Sequence, residues 1–147
     1  MTYGWAILVV SIVGIVMWQM GVLDSGKVSM TSTGFSRIKP QLSGTGLTAG
    51  GMFTGVFTNG AGTEIYLDVE DSVVNITKTS AACGTPSISH GSNPIPAGGN
   101  FAIVALGCET GNQGDTFKLT VSIKYNTSVG DVWIDKIDGG VISGVRE

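Results

Sequence analysis

Hydrophobic and polar positions divide this chain into two unlike parts. From Met1 to Leu23 there is no charged side chain, and from Trp5 onward every residue is apolar or small apart from Ser11 and Gln19, with no proline. Such a stretch predicts one helix, apolar on every side, that rises about 1.5 Å per residue and reaches the roughly 30 Å of a bilayer's hydrocarbon core. Asp24-Ser25-Gly26 supplies the stop. Projected at about 100° per residue, Gly4, Ser11, Gly14, Gly21 and Ser25 fall within one arc of about 100°. Trp5, Ile7, Leu8, Val10, Ile12, Val16, Trp18 and Leu23 are the large apolar positions expected to pack in a helical core. A stripe of small residues lets helix backbones approach closely, and a helix greasy all round has to be covered on all sides, by lipid or by copies of itself.

After Gly26 the helical period vanishes and period two replaces it. Ile65-Leu67-Val69 alternate with Glu64-Tyr66-Asp68-Glu70, and Phe117-Leu119-Val121-Ile123-Tyr125 alternate with Thr116-Lys118-Thr120-Ser122-Lys124. Both are half-buried strands. Weaker strand candidates are Val28–Ile38, Gly51–Thr58, Val73–Lys78, Phe101–Leu106, Val132–Ile137 and Val141–Val145. Thr58-Asn59-Gly60, Gly98-Gly99-Asn100, the 111–115 segment and Asp138-Gly139-Gly140 read as turns. The expectation is an α+β chain shaped like a lollipop. A long N-terminal helix spans residues 1–25, and an all-β, immunoglobulin-like sandwich domain spans 26–147.

Composition narrows the chemistry. Charged residues make up 13% of the chain and the formal net charge is -3, so there is no basic footprint for nucleic acid. The two cysteines, Cys83 and Cys108, lie outside any CxxC or Cys/His cluster, which removes haem attachment and structural zinc. In an extracellular chain such a pair predicts a disulfide over two free thiols, contributing roughly 3–4 kcal/mol through the closed loop. His90 is the single histidine and sits in a segment that reads as a loop, with no nucleophile motif beside it. The carboxylates Glu64, Asp68, Glu70 and Asp71, like Asp131, Asp135 and Asp138, suit a solvated face better than a metal site. No phosphate-binding glycine motif occurs. The expected chain is therefore not an enzyme and carries no cofactor or metal. Two sequons, Asn75-Ile76-Thr77 and Asn126-Thr127-Ser128, make Asn75 and Asn126 candidate glycosylation sites, with Asn126 placed at a strand end.

The opening residues also carry a likeness. "MTYGWAILVVSIVGIV", and Thr2-Tyr3-Gly4-Trp5-Ala6 in particular, resembles the hydrophobic stretch of archaeal type IV pilins, whose precursors carry a basic class III signal peptide. The "IPAGGNF" turn at Ile95–Phe101, the cysteine at 108, "GDTFKLTVSIKY" at Gly114–Tyr125 and the terminal "GGVISGVRE" at Gly139–Glu147 are similar too. The likeness implies a subunit of an extracellular pilus used for adhesion. A prepilin peptidase trims it, the cytoplasmic membrane holds it, an ATP-driven platform polymerises it, and a surface or host-cell receptor awaits the filament. With no Lys or Arg before Lys27, a basic leader is expected to precede the helix and to be removed. The family's carboxylate ahead of T-Y-G-W does not precede it here, so no partner for the amino terminus carries over. Two rival readings stand beside this one: an archaellin of a swimming filament, and a monomeric membrane-anchored binding module.

Overall fold

A computed structural model describes residues 2–20, 29–76, 81–91 and 93–147. Its first element corrects the expectation of a long helix over 1–25. The helix α1 runs Gly4–Gln19, 16 residues, or about 24 Å at the usual rise. The Met20 N–H is shared between the carbonyls of Val16 and Trp18, which closes the last turn. Glycine, the weakest helix former after proline, follows in the sequence. Hydropathy had carried the expectation on to Leu23, but apolar side chains do not by themselves extend a hydrogen-bond ladder. Among the described residues no helix is long and apolar enough to cross a membrane. The fold is therefore mostly β-sheet with one short helix. Gly21 and Leu23 lie outside the described residues.

Among the described residues nine strands follow: β1 (Thr31–Thr33), β2 (Ile38–Pro40), β3 (Gly46–Leu47), β4 (Phe53–Asn59), β5 (Ile65–Ile76), β6 (Ser87–His90), β7 (Asn100–Ala105), β8 (Thr116–Val129) and β9 (Val132–Val145). They form two antiparallel sheets, ordered β1-β9-β8-β5 and β2-β4-β7-β6, with β3 also pairing to β4. The short β2, which ends at Pro40, and β3 share one edge of β4, separated by a 3₁₀ turn at Leu42–Gly44. The two-sheet sandwich agrees with the alternating pattern. On β8 the odd-numbered side chains from Phe117 to Thr127 are buried and the even-numbered ones face out, as one buried face of a sheet requires.

The Val28–Ile38 candidate splits into β1 and β2 in different sheets, and the candidates Ile65–Val69 and Val73–Lys78 join in β5. Two further expectations about boundaries change. Val132–Ile137 and Val141–Val145 are one strand, so Asp138-Gly139-Gly140 lies in the middle of β9 rather than in a turn. The glycines serve close approach. A Cβ on Gly139 would lie 2.6 Å from the Val121 carbonyl oxygen, and one on Gly140 would lie 2.7 Å from the Phe35 ring and against the Thr33 carbonyl. Beside them Asp138, 6% exposed, turns inward and accepts the N–H groups of Ser36, Arg37 and Ile38 and the Ser36 hydroxyl. The carboxylate thus ties the crossing from β1 to β2 onto β9, satisfying donors that burial would otherwise strand. The second change is His90, which ends strand β6, opposite Ala102, instead of sitting in a loop.

Phe53, Phe57, Phe101, Ile65, Leu119, Ile123 and Tyr125 form the centre of the core between the sheets. The rings of Phe57 and Phe101 stack with centroids 5.7 Å apart. Asn59, fully buried, closes one end. Its amide nitrogen reaches the carbonyls of Thr63, Ile95 and Pro96, and its oxygen accepts the Ala61 N–H. At the other end Cys83 and Cys108 are disulfide-bonded, as the isolated pair predicted. The C-terminus is clamped there too: Leu47 and Ala49 exchange backbone hydrogen bonds with Glu147, and the Arg146 guanidinium donates to the Glu109 carbonyl at 2.7 Å.

Candidate assembly surface

Local signals do little to hold α1 in a helix. Tyr3 at its N-cap makes no side-chain cap, and neither end carries a charge that complements the helix dipole. Seven of its residues are Ile or Val, whose branched side chains lose χ1 freedom in a helix. In water a helix of this length is marginal even with good propensity. Tertiary or quaternary packing has to supply the remainder.

The sandwich does not supply it. No residue of α1 is buried. Thirteen large apolar side chains between Tyr3 and Met20 are exposed, from 46% at Val16 to 78% at Trp18. They include the expected Trp5, Ile7, Leu8, Val10, Ile12, Val16 and Trp18, and add Tyr3, Val9, Val13, Ile15, Met17 and Met20. Monomeric proteins in water rarely leave so large a contiguous apolar surface open, and such surfaces mark contacts with protein or membrane.

One face of this surface is low. Gly4, Ser11 and Gly14 lie within about 80° of arc, and a Cβ added at Gly4 or Gly14 would meet nothing within 4 Å. The Ser11 hydroxyl donates to the Ile7 carbonyl at 2.8 Å, so its polar group is satisfied inside its own helix. That face offers an approaching helix a shallow groove with no unsatisfied hydroxyl.

The other sequence-derived candidates are scattered. Asn75 lies in β5 opposite Thr120, and Thr77 of its sequon lies outside the described residues. Asn126 is not at a strand end. It stands within β8, between Tyr66 of β5 and Asp135 of β9. The rings of Tyr66 and Trp133 meet at 5.0 Å, although their strands flank β8 on opposite sides. They therefore bridge β8 beside the sequon, and the Asn126 amide oxygen is buried without a hydrogen bond. His90 is exposed, and among the described residues no group of three His, Cys, Asp or Glu could hold a metal ion.

Asp68 and Asp71 face Lys124 across a slip in the β5–β8 pairing, with the ammonium 3.5 Å from one and 2.5 Å from the other. The hydrogen bond that Lys124 donates to Asp71, with the charges of both carboxylates, raises the Lys124 pKa above its ordinary value despite partial desolvation. This is a surface ion-pair group. Sequence reasoning missed the exposed Val129, Val132, Trp133, Ile134 and Ile137 of the β8–β9 hairpin. The signal was present, because Val132-Trp133-Ile134 breaks the apolar/polar alternation.

No family model, curated protein or solved structure matches the chain.

Proposed function

We propose that this chain is a structural subunit of an extracellular filament of the archaeal type IV pilus kind, held together by packing of α1 against its copies and serving adhesion. The observation that carries the reading is the helix without a buried residue, apolar around its whole circumference. Fully burying one large apolar side chain contributes about 1.5–3 kcal/mol. Thirteen of them, 46–78% exposed, make covering α1 worth on the order of 10 kcal/mol or more before ordering costs. A bundle of identical helices covers every side at once, and the Gly4–Ser11–Gly14 face lets two axes come close.

In this reading the sandwich coats the filament and meets surfaces or receptors. Prepilin peptidase and an assembly platform act before polymerisation, and the membrane holds the subunit until then. At about 24 Å α1 is shorter than the hydrocarbon core. Helix–helix contact therefore carries more of the proposal than spanning does.

The test is substitution on α1. Ile12→Asp or Val16→Asp should leave the sandwich folded and abolish filaments on cells that produce the chain, because each buries a carboxylate among apolar side chains. Filaments of normal number and length from both variants, or from a chain lacking residues 1–23, would defeat the proposal.

A further inference from the structure

At the Asn59 end of the sandwich β8 and β9 run on past the start of β5, whose first pair is Ile65 with Thr127. A cleft of about 140 Å³ opens there, walled by Arg37, Thr63, Tyr125, Thr127, Val129 and Lys136. Tyr125 and Lys136 are direct cross-strand partners, so both project to the inner face of their sheet. No carboxylate lines the cleft. Among the described residues Arg37 and Lys136 form no ion pair. Two cations that share one small space with no direct ion-pair partner repel each other, and an anion placed between them relieves that repulsion.

The remaining polar groups are donors. Tyr125 is buried and lines the cleft. Burial and then the charge of nearby Asp138 push its pKa up, against the opposing pull of Arg37, so the phenol keeps its proton at neutral pH. Thr63 and Thr127 share a hydrogen bond of 2.7 Å between their hydroxyls. One of the two donates to the other, which leaves one O–H free to donate outward. Asp138 lies near enough for its charge to act on Tyr125, but its oxygens accept the backbone N–H groups of Ser36, Arg37 and Ile38, and among the described residues it forms no ion pair with either cation. The volume equals that of about four or five waters in the liquid. It suits one small oxyanion with a short stem and excludes a nucleotide.

We propose that this cleft binds a small oxyanion, a carboxylate or a phosphate group, between the Arg37 guanidinium and the Lys136 ammonium, with the Tyr125 and threonine hydroxyls donating hydrogen bonds. Arg37 supplies a planar fork matched to two oxygens, and Lys136 supplies a point charge. The site is separate from α1 and does not depend on how the chain assembles.

The test titrates the full chain in a nonionic detergent with acetate and, separately, with inorganic phosphate. Chloride keeps ionic strength constant, and line broadening of the ¹³C or ³¹P resonance reports binding. At least one anion should bind saturably, and the one that binds names the chemistry. Arg37→Gln and Lys136→Gln should each weaken binding about tenfold or more, a loss typical of one charge-assisted contact. Tyr125→Phe should weaken it several-fold. Lys124→Gln, on the outer face of the same sheet, should leave it unchanged. Unaltered thermal unfolding in either cation variant separates loss of the site from loss of the fold, and the two variants check each other. Absence of saturable binding by both anions, full affinity in both cation variants, or an equal loss in Lys124→Gln would overturn the proposal.

Discussion

Asn59→Ala offers the sharpest test of how the two sheets are joined. Asn59 is fully buried, and its side chain links the β4–β5 turn to the segment around Ile95 and Pro96. Truncation removes the acceptor of the Ala61 N–H, 2.9 Å away, and the donor to the carbonyls of Thr63 and Pro96. The Ile95 carbonyl keeps its hydrogen bond from the Ile65 N–H. Each buried polar group left unpaired costs about 1–3 kcal/mol, and water entering the vacated space recovers part of that. The expected loss is about 3–4 kcal/mol, a large share of the 5–15 kcal/mol usual for a domain. Guanidinium unfolding of the full chain in detergent, followed by far-ultraviolet circular dichroism, measures it. Asn59→Asp should be at least as damaging at neutral pH, because it aims a carboxylate at carbonyl oxygens. Acid should relieve that defect in part, since a protonated carboxyl regains one donor. A loss below about 1 kcal/mol for Asn59→Ala would show that the amide is not what joins these segments.

Three further outcomes follow from the same contacts. Reducing the Cys83–Cys108 bond, which closes a loop of sequence separation 25, should lower stability by about 3.5 kcal/mol on the chain-entropy account, read from the unfolding midpoint with and without reductant. Gly140→Ala forces a Cβ to 2.7 Å from the Phe35 ring and should cost about 2 kcal/mol or more, whereas Gly130→Ala, whose Cβ would meet nothing within 4 Å, should cost only the strain of its positive φ. Alkaline pH should destabilise the fold: Lys124 is raised above 10.5 and Tyr125 above 10.0, so the unfolded chain sheds these protons first. The stability these two groups add is complete below about pH 10 and is lost as pH rises through their folded values. A thermal midpoint that rises between pH 9 and 11, or a Tyr125 that ionises below the ordinary 10.0 by tyrosinate absorbance, would contradict the assignment.

How far the fold could be read in advance depended on whether a residue's role is local. β8 was legible because one buried face imposes strict alternation from Phe117 to Thr127. The polar β6, Ser-Ile-Ser-His, was not, since this edge strand is held by backbone pairing to β7 and has no buried stripe. Asp138-Gly139-Gly140 reads as a turn by composition, yet Gly140 admits Thr33 and Phe35 from about 100 positions earlier in the chain, as the Asp138 hydrogen bonds also do for Ser36 to Ile38. Helix length was overread for a related reason: hydropathy continues to Leu23, while the hydrogen bonds of α1 close at Met20. The apolar circumference of α1 could be read directly, because it depends on residue type alone. The Arg37–Lys136 cleft could not, being assembled from three separate stretches of chain that only the folded sheets bring together.

The central claim is that α1 packs against its own copies, and a three-dimensional reconstruction by electron microscopy of filaments sheared from producing cells tests it most directly. The account predicts a central bundle in which Trp5, Ile12 and Val16 are covered by neighbouring α1 helices and the sandwiches form the outer wall. Filaments whose core is built from the sandwiches, with α1 on the outside, or sheared filaments that lack this chain, would contradict it.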